Sequence, residues 1–216
     1  MNIGSMLLEL LAGLLVSAEI FALTLLFALP LGLVVAWGRM ARARPVAALF
    51  RLFISVVRGT PLMLQILFVY FAPYYVFGAS LAHYPRLCAT VIAFSLNYAA
   101  YFAEIYRGGI LAVEPGQWEA AKALGMGRGL TFFRIVLPQM VKRVIPAVGN
   151  EVITLVKDTS LAFTIAVTEM FTLAKQLASA NTTMAPLVAA GVFYYLFNYV
   201  VAWAMERIEK RFAYYA

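Results

Sequence analysis

Charged residues are scarce in this sequence: ten Asp and Glu and seventeen Lys and Arg make up 12% of 216 residues, whereas 64% of the residues are hydrophobic. A soluble domain of this length needs more polar surface than that. The composition therefore excludes a soluble fold and places the chain in a lipid bilayer. The net charge of +7 does not indicate nucleic-acid binding, because the cations are confined to short segments between apolar runs.

Cysteine is nearly absent as well. The single Cys88 lies in an apolar stretch, which excludes an internal disulfide and a thiolate metal cluster, and no metal site is expected. We expect Cys88 to be a small residue of the core. Positive charge is missing from the start of the chain, where Glu9 follows residues 1–8 without any Lys or Arg, so a cleavable secretion signal is not predicted.

Five long apolar runs predict an all-α membrane protein with about five transmembrane helices. A helix of about 20 apolar residues is long enough to cross the hydrocarbon core. The second span is predicted to begin at Pro61 with Thr60 as its N-cap. The predicted spans are residues 20–38 with an extension back toward Leu10, 61–82, 87–105, the segment between Arg143 and the polar region 169–175, and 186–205.

The distribution of Lys and Arg predicts the orientation of these spans. An excess of these cations is typical of the cytoplasmic side, so the N-terminus is predicted outside and the C-terminus in the cytoplasm. Residues 1–216 are predicted to form a single transmembrane domain with a cytoplasmic loop over about 106–143. The cations assigned to the cytoplasm are Arg39, Arg42, Arg44, Arg51, Arg58, Arg107, Lys122, Arg128, Arg134, Lys142, Arg143, Arg207, Lys210 and Arg211.

The cytoplasmic loop predicts two short helices joined at a flexible corner. Residues 117–124 are strong helix formers, the three glycines within 125–129 permit a sharp turn, and a second helix is predicted from about Leu130. The alternative is a helical hairpin that lies on the lipid surface. The protruding corner would offer four apolar side chains and one charge, those of Trp118, Leu124, Met126, Phe132 and Arg128.

Polar side chains at membrane depth are costly in lipid and usually face a cavity or a partner. Several share a helical face and could line a polar pathway whose carboxylates hold a cation. The alternative for Glu104 is a structural pair with Arg107, one turn away. The residues on these faces are Asn97, Tyr101 and Glu104 of the third span, and Glu151 and Asp158 of the fourth.

A helix break is predicted at Asp158-Thr159-Ser160, because all three side chains compete for backbone hydrogen bonds. We expect the helix to end there and to restart with a side-chain cap. Broken helices at the membrane midplane commonly hold ligands in transporters. Lys157 and the hydroxyls of Thr159 and Ser160 could meet a carboxylate there, although Lys157 could instead pair with a nearby acid.

Three further features are expected to be structural. Glu19 is expected to be packed or to lie at the outer interface, and His83 to belong to a short outer turn. Aromatic side chains near the C-terminus are expected to pack or to lie at the membrane interface, with a dimer contact as the alternative. They are Tyr194, Tyr195, Phe197, Tyr199 and Trp203.

The order of motifs along the chain resembles a known family. Glu119-Ala120-Ala121, Gly125, Ile135 and Leu137-Pro138 match the signature loop of the membrane subunits of bacterial ABC importers. Other motifs resemble the polar amino acid permeases of that group, and together they cover nearly the whole chain. They are Phe50-Arg51, Arg58-Gly59-Thr60-Pro61-Leu62, Leu96-Asn97, and residues 103–110, 116–121 and 157–161.

The resemblance implies a multi-pass permease of the bacterial cytoplasmic (inner) membrane. It also implies a dimer with itself or with a similar subunit, two ATP-binding subunits that carry Mg-ATP, and an extracytoplasmic solute-binding protein. The chain lacks the Gly-x-x-x-x-Gly-Lys-Ser/Thr phosphate loop, so it is expected not to be an enzyme and to depend on the ATPase of a partner. The coupling helix that contacts this ATPase would comprise Trp118, Glu119, Ala120, Ala121, Gly125 and Arg128.

The resemblance also suggests the solute. Members selective for basic amino acids use an Asn and acidic residues at positions that match Asn97, Glu104, Glu151 and Asp158. Tyr98 and Tyr101 stand where small residues often occur, and they could narrow the cavity or stack on a guanidinium. Basic amino acids are therefore favoured, with glutamine, glutamate, histidine and cystine left open. The rival function is a self-sufficient ion-coupled carrier, which an inverted repeat would favour, and the sequence contains no evident repeat.

Overall fold

A computed structural model describes residues 3–78, 80 and 85–212 of the chain. Within these ranges every regular element is a helix, as the all-α prediction requires. The α-helices are α1 (Ile3–Arg39), α2 (Arg44–Gly59), α3 (Leu62–Phe77), α4 (Arg86–Leu111), α5 (Pro115–Ala123), α6 (Arg128–Thr131), α7 (Leu137–Asp158), α8 (Met170–Asn181) and α9 (Ala185–Phe212). A π-helical turn (Phe132–Val136) joins α6 to α7, and a 3-10 helix (Thr159–Ile165) follows α7.

Three helices, α1, α4 and α9, are long and apolar enough to cross a membrane. Two more spans result if each of two bent pairs is counted as one: α2 with α3, bent by 112°, and the helical stretch Arg128–Ile165 with α8, bent by 58°. On this count the prediction of about five spans is confirmed. The predicted first span is too short, since α1 begins at Ile3.

Helix α4 is the centre of the bundle. It packs against α1, α2, α3 and α7, and 67% of its most apolar stretch is buried, against 6% for α9. Small side chains permit the close approach of the neighbouring helices, and Ala93, Ala99, Ala100 and Ala103 are all buried. The buried polar side chains of Asn97 and Tyr98 on α4 find their hydrogen-bond partners on neighbouring helices.

Residues 44–59 form a helix where the sequence predicts a loop between the first two spans. Ala47 and Ile54 are buried on its inner face, with Val57 partly buried beside them. Their spacing of seven and three residues is helical. Arg51 and Arg58 interrupt the apolar run, so this helix is amphipathic and too polar to be recognised by the length of an apolar run.

The break between α2 and α3 corrects the predicted start of the second span. Thr60 ends α2, and Pro61 rather than Thr60 is the N-cap residue of α3, without a side-chain cap. The Thr60 hydroxyl donates backward to the carbonyl of Val56 at 2.9 Å. Proline has no N–H with which to continue α2. Helix α3 ends at Phe77, and the predicted end near residue 82 lies outside the described residues.

Helix α7 ends at Asp158, as predicted, but the bend and the restart lie at 166–169 instead of the predicted 158–160. After Asp158 the chain continues as the 3-10 helix to Ile165, and Ala166 then adopts a positive φ of 55°. The Ala166 carbonyl accepts a hydrogen bond from the Arg86 guanidinium at 3.2 Å. Glu169 is the N-cap of α8, so the restart is capped by a residue that the prediction does not name.

Glu169 is fully buried and its carboxylate joins three helices. It accepts from the backbone N–H groups of Phe171 and Thr172, both at 2.7 Å, which satisfies two donors at the start of α8. It also accepts from the hydroxyl of Tyr194 on α9 at 3.0 Å and from that of Ser17 on α1 at 3.4 Å. Besides packing as predicted, Tyr194 therefore donates a hydrogen bond to the buried N-cap residue of α8.

Three smaller expectations have different outcomes. Cys88 is exposed, so its expected place in the core is wrong. Glu19 is exposed on α1, which excludes a packed position and fits the outer-interface alternative. His83 lies outside the described residues.

Helix α1 meets α8 at Gly13, where a methyl group does not fit. A Cβ added at Gly13 would lie 2.7 Å from the Cα of Met170, whereas Gly191 on α9 has open space around it. We expect Gly13→Ala to lower the thermal-unfolding midpoint of the detergent-purified protein. Gly191→Ala should leave the midpoint unchanged or raise it, because alanine is favoured over glycine in a helix by about 0.5–1 kcal/mol. Equal midpoints for the two variants would contradict the close contact.

Candidate solute pathway and coupling loop

A hydrogen bond between Tyr98 and Asp158 joins α4 to the end of α7. The Tyr98 hydroxyl donates to Oδ2 of Asp158 at 2.7 Å, and the Tyr98 ring is buried between Phe94 and Phe102. A bond to a carboxylate is stronger than one between neutral groups. Asp158 is a predicted pathway residue. The donor role of Tyr98 is not predicted from the sequence, because it depends on α7 lying against α4.

Asn97 is buried on α4 and bonds to α3. Its Nδ2 donates to Oε1 of Gln65 at 3.0 Å. Gln65 in turn donates through Nε2 to the carbonyls of Val57 and Thr60. Gln65 is not among the predicted residues. The sequence signal that could have found it is the presence of one amide side chain in the apolar stretch 62–77.

Arg58, Tyr101 and Glu151 bring a cation, an aromatic ring and a carboxylate together. The guanidinium carbon of Arg58 lies 5.0 Å from the ring centroid of Tyr101, which is a cation–π distance. Arg58 and Asp158 both interact electrostatically with Glu151. Two predicted residues, Tyr101 and Glu151, thus interact with an arginine that the predicted pathway leaves out.

Glu104 lies further along α4, about two turns beyond Asn97, and it is paired. Its Oε2 accepts from Nε and Nη2 of Arg107 at 3.0 and 2.7 Å, and its Oε1 lies 3.4 Å from Nε of Arg39 on α1. The structural pair with Arg107 is therefore present, and α1 extends it. Glu104 also borders an open cavity of about 520 Å³ whose other lining residues include Arg39, Arg51 and Arg58.

The three residues predicted to meet a carboxylate differ in what they can donate. The Thr159 hydroxyl donates to the carbonyl of Val156 and the Ser160 hydroxyl to that of Lys157, both at 2.8 Å. Because both hydroxyl protons are used within the helix, these two side chains offer lone pairs. Lys157 is exposed and interacts electrostatically with Asp158, so its ammonium is the donor of this group.

Helix α5 ends in a turn that requires a glycine. Gly125 has a φ of 74°, a conformation that is strained for residues with a side chain. The N–H of Met126 donates to the Ala121 carbonyl at 2.9 Å, and that of Gly125 donates to the Lys122 carbonyl at 3.0 Å. This pair of bonds is a Schellman motif. The predicted helix, corner and second helix are all present, and the second helix begins at Arg128, two residues earlier than predicted.

The outer surface of this corner is accessible while its base is held in place. Ala121 is buried, and the Arg143 guanidinium donates to the Ala112 carbonyl just before α5. The loop therefore presents charged and apolar side chains on a backbone fixed by hydrogen bonds. The exposed predicted residues are Glu119, Ala120, Leu124, Gly125 and Arg128, and the half-buried ones are Trp118, Met126 and Phe132.

Comparisons with known proteins agree with this architecture. The L-cystine transport system permease protein TcyB of Bacillus subtilis (strain 168) is 38% identical over 191 residues, which cover 88% of this chain and 80% of that protein. The arginine transport system permease protein ArtQ of the same organism is 35% identical over 202 residues, covering 93% and 91%. The octopine transport system permease protein OccM of Rhizobium radiobacter is 39% identical over 202 residues, covering 85% and 79%.

Solved structures share the fold. The crystal structure of an amino acid ABC transporter with histidines has a TM-score of 0.88 at 29% identity, covering 98% of this chain and 99% of that one. An inward-facing MetNI methionine ABC transporter has a TM-score of 0.74 at 17% identity, covering 98% of this chain and 99% of that one. This likeness supports the fold alone.

The family match covers most of the chain. The family described as binding-protein-dependent transport system inner membrane component matches residues 28–214. Together with the permeases above, this match confirms the predicted family. It also confirms that the chain is a membrane permease subunit whose ATPase resides on separate subunits, and not itself an enzyme. The chain belongs to the family of inner membrane components of binding-protein-dependent transport systems.

Proposed function

We propose that this chain is the permease of an ATP-driven importer that moves polar amino acids, with basic ones favoured, across the bacterial cytoplasmic membrane. The observation that carries the proposal is the polar cluster where α4 and α7 pack together. Tyr98 donates to Asp158 and its ring centroid lies 6.4 Å from that of Tyr101, and Asp158 interacts electrostatically with Glu151. Carboxylates at membrane depth are costly unless they face a cavity or a partner. Two of them beside an aromatic ring attract a cation.

Arg58 supports the preference for a basic solute. The ring of Tyr101 and the charge of Glu151 already stabilise one guanidinium, that of Arg58. The same aromatic ring and carboxylate are suited to bind the guanidinium of an arginine solute. The similarity to an arginine permease at 35% identity points the same way.

Each pathway residue has a role in this proposal. The amide of Asn97, the ring of Tyr101 and the carboxylates of Glu151 and Asp158 bind the cationic groups of the solute. Lys157 binds its carboxylate, and Thr159 and Ser160 contribute acceptor oxygens to the wall. Glu104 lies at the cytoplasmic end of the pathway, beside the basic cavity that it borders.

Cystine is the second candidate solute. The L-cystine permeases TcyB and TcyL of Bacillus subtilis are 38% and 37% identical to this chain. Cystine has two ammonium groups and two carboxylates but no cationic side chain. Its transport would therefore depend more on Lys157 and less on the ring of Tyr101.

The proposed partners are those that the family implies. We place the C-terminus and α5 in the cytoplasm and the N-terminus outside, and α5 on one of two ATP-binding subunits that hold Mg-ATP. A second permease, identical or similar, would complete the pathway, and a solute-binding protein would deliver the amino acid from outside. Side chains on one exposed face of α9 are available to lipid or to the second permease: Val188, Val192, Tyr195, Tyr199 and Trp203.

The carboxylates can be tested by charge removal. We expect Glu151→Gln and Asp158→Asn each to lower ATP-dependent arginine uptake into proteoliposomes of the complete transporter about tenfold, since a charge-assisted bond contributes about 1.5–3 kcal/mol. Cystine has no net charge, so its uptake should fall less than that of arginine. Glu9→Gln, which neutralises an exposed carboxylate on α1, is the matched control. Equal losses for arginine and cystine would contradict the preference for basic solutes.

The coupling loop can be tested through two of its glycines, Gly125 and Gly127. Gly125→Val places a branched side chain at a positive φ, which costs about 1–2 kcal/mol, whereas Gly127 has an ordinary φ of −69° and open space for a methyl group. We expect Gly125→Val to reduce severalfold the amount of ATPase that co-purifies with tagged permease. Gly127→Ala should retain it. If both variants recover as much ATPase as the wild type, α5 is not the contact surface.

A further inference from the structure

The break between α2 and α3 leaves the Val57 carbonyl without its helical hydrogen-bond donor. In a continuous helix the Val57 carbonyl would accept from the N–H of residue 61, but residue 61 is proline, which has no N–H. The side chain of Gln65 supplies the missing donor, because its Nε2 lies 2.7 Å from the Val57 carbonyl. The same Nε2 lies 3.1 Å from the Thr60 carbonyl and 2.9 Å from the Thr60 hydroxyl oxygen.

These contacts fix which end of the Gln65 amide faces α4. All three groups around Nε2 are oxygens that accept hydrogen bonds, so the NH₂ end of Gln65 must point toward them. The Oε1 end is thereby turned toward Asn97, and it can only accept. Asn97 must therefore offer its own NH₂ end, which matches the 3.0 Å distance from Nδ2 to Oε1. The orientation of the Asn97 amide is thus a consequence of the missing N–H at Pro61.

We propose that Gln65 is a positioning residue of the solute pathway, holding the Asn97 amide so that its carbonyl oxygen, an acceptor, serves the cationic group of the solute. Asn97 precedes Tyr98 on α4, and the Tyr98 hydroxyl donates to the carboxylate of Asp158 at the end of α7, so consecutive residues of α4 orient an amide and a carboxylate. A reversed amide would present N–H groups and would repel a cation. The inference rests on the proposed function, because it requires Asn97 to contact the solute.

A double-mutant cycle tests the coupling between the two amides. The probe is radiolabelled L-arginine, bound at equilibrium to the detergent-purified complex of the permease with its ATPase subunits. We expect Gln65→Met and Asn97→Leu each to raise the dissociation constant about tenfold, the scale of one oriented hydrogen bond. The double variant should be no weaker than either single one, because both changes remove the same oriented acceptor.

Thr60→Val is the matched control. It removes one acceptor of Gln65 and the donor to Val56 but leaves the Val57 and Thr60 carbonyls in place. This variant should lower the thermal-unfolding midpoint while keeping the dissociation constant within about threefold of the wild type. A purely structural Gln65 would behave like Thr60, losing stability without losing affinity.

The outcomes separate this inference from the proposed function. If Asn97→Leu weakens binding while Gln65→Met does not, or if the two effects add, the positioning role is overturned and the pathway stands. If the wild type does not bind arginine, or Asn97→Leu binds it equally well, the proposed pathway fails and the inference fails with it. Should Gln65→Met not assemble, Gln65→Leu also removes both the donor to Val57 and the acceptor for Asn97 and should raise the dissociation constant about tenfold; binding equal to that of the wild type would contradict the role.

Discussion

A carbonyl or N–H group freed by a helix break within an apolar bundle must find its partner inside the protein, because hydrocarbon offers none. Two bent spans occur in the part of the chain that the structure describes, and each is repaired by side chains. At the first, Gln65 replaces the N–H that Pro61 lacks. At the second, Glu169 accepts from the first turn of α8 and Arg86 donates to the Ala166 carbonyl. The unpaired backbone carbonyl and N–H groups at the two breaks thus explain the positions of the polar side chains Gln65, Arg86 and Glu169.

The candidate pathway is connected by hydrogen bonds to the first of these breaks, the one between α2 and α3. Gln65 reaches from the α2–α3 break to Asn97, next to Tyr98 and its bond to Asp158. From Asp158 the backbone runs back as helix without interruption to Arg128, about 45 Å at about 1.5 Å per residue. One continuous helical stretch therefore connects the turn after α5 with Asp158 and the polar side chains around it. A displacement of α5 by a partner would reach Asp158 as a rigid-body motion.

The features that depend on local sequence could be predicted. Long apolar runs located the spans, glycines located the corner after α5, and the three-residue spacing of Glu104 and Arg107 allowed for their pair. The features that depend on tertiary contact could not. Helix α2 could not be recognised from an apolar run because Arg51 and Arg58 interrupt that run in the sequence. The roles of Gln65 and Glu169 depend on which helices lie opposite them. The bend lies at 166–169 rather than at the predicted 158–160 because the chain continues as a 3-10 helix after Asp158.

ATP hydrolysis by a separate subunit drives transport through this permease. The polar side chains of α4 and α7, which include Tyr98 and Asp158, move in response. The most direct measurement is arginine uptake into proteoliposomes, comparing the permease alone under an ion gradient with the permease plus its ATPase subunits, ATP and solute-binding protein. The account predicts accumulation against a gradient in the complete system and none with the permease alone. Uphill uptake by the permease alone, driven by the ion gradient, would contradict it.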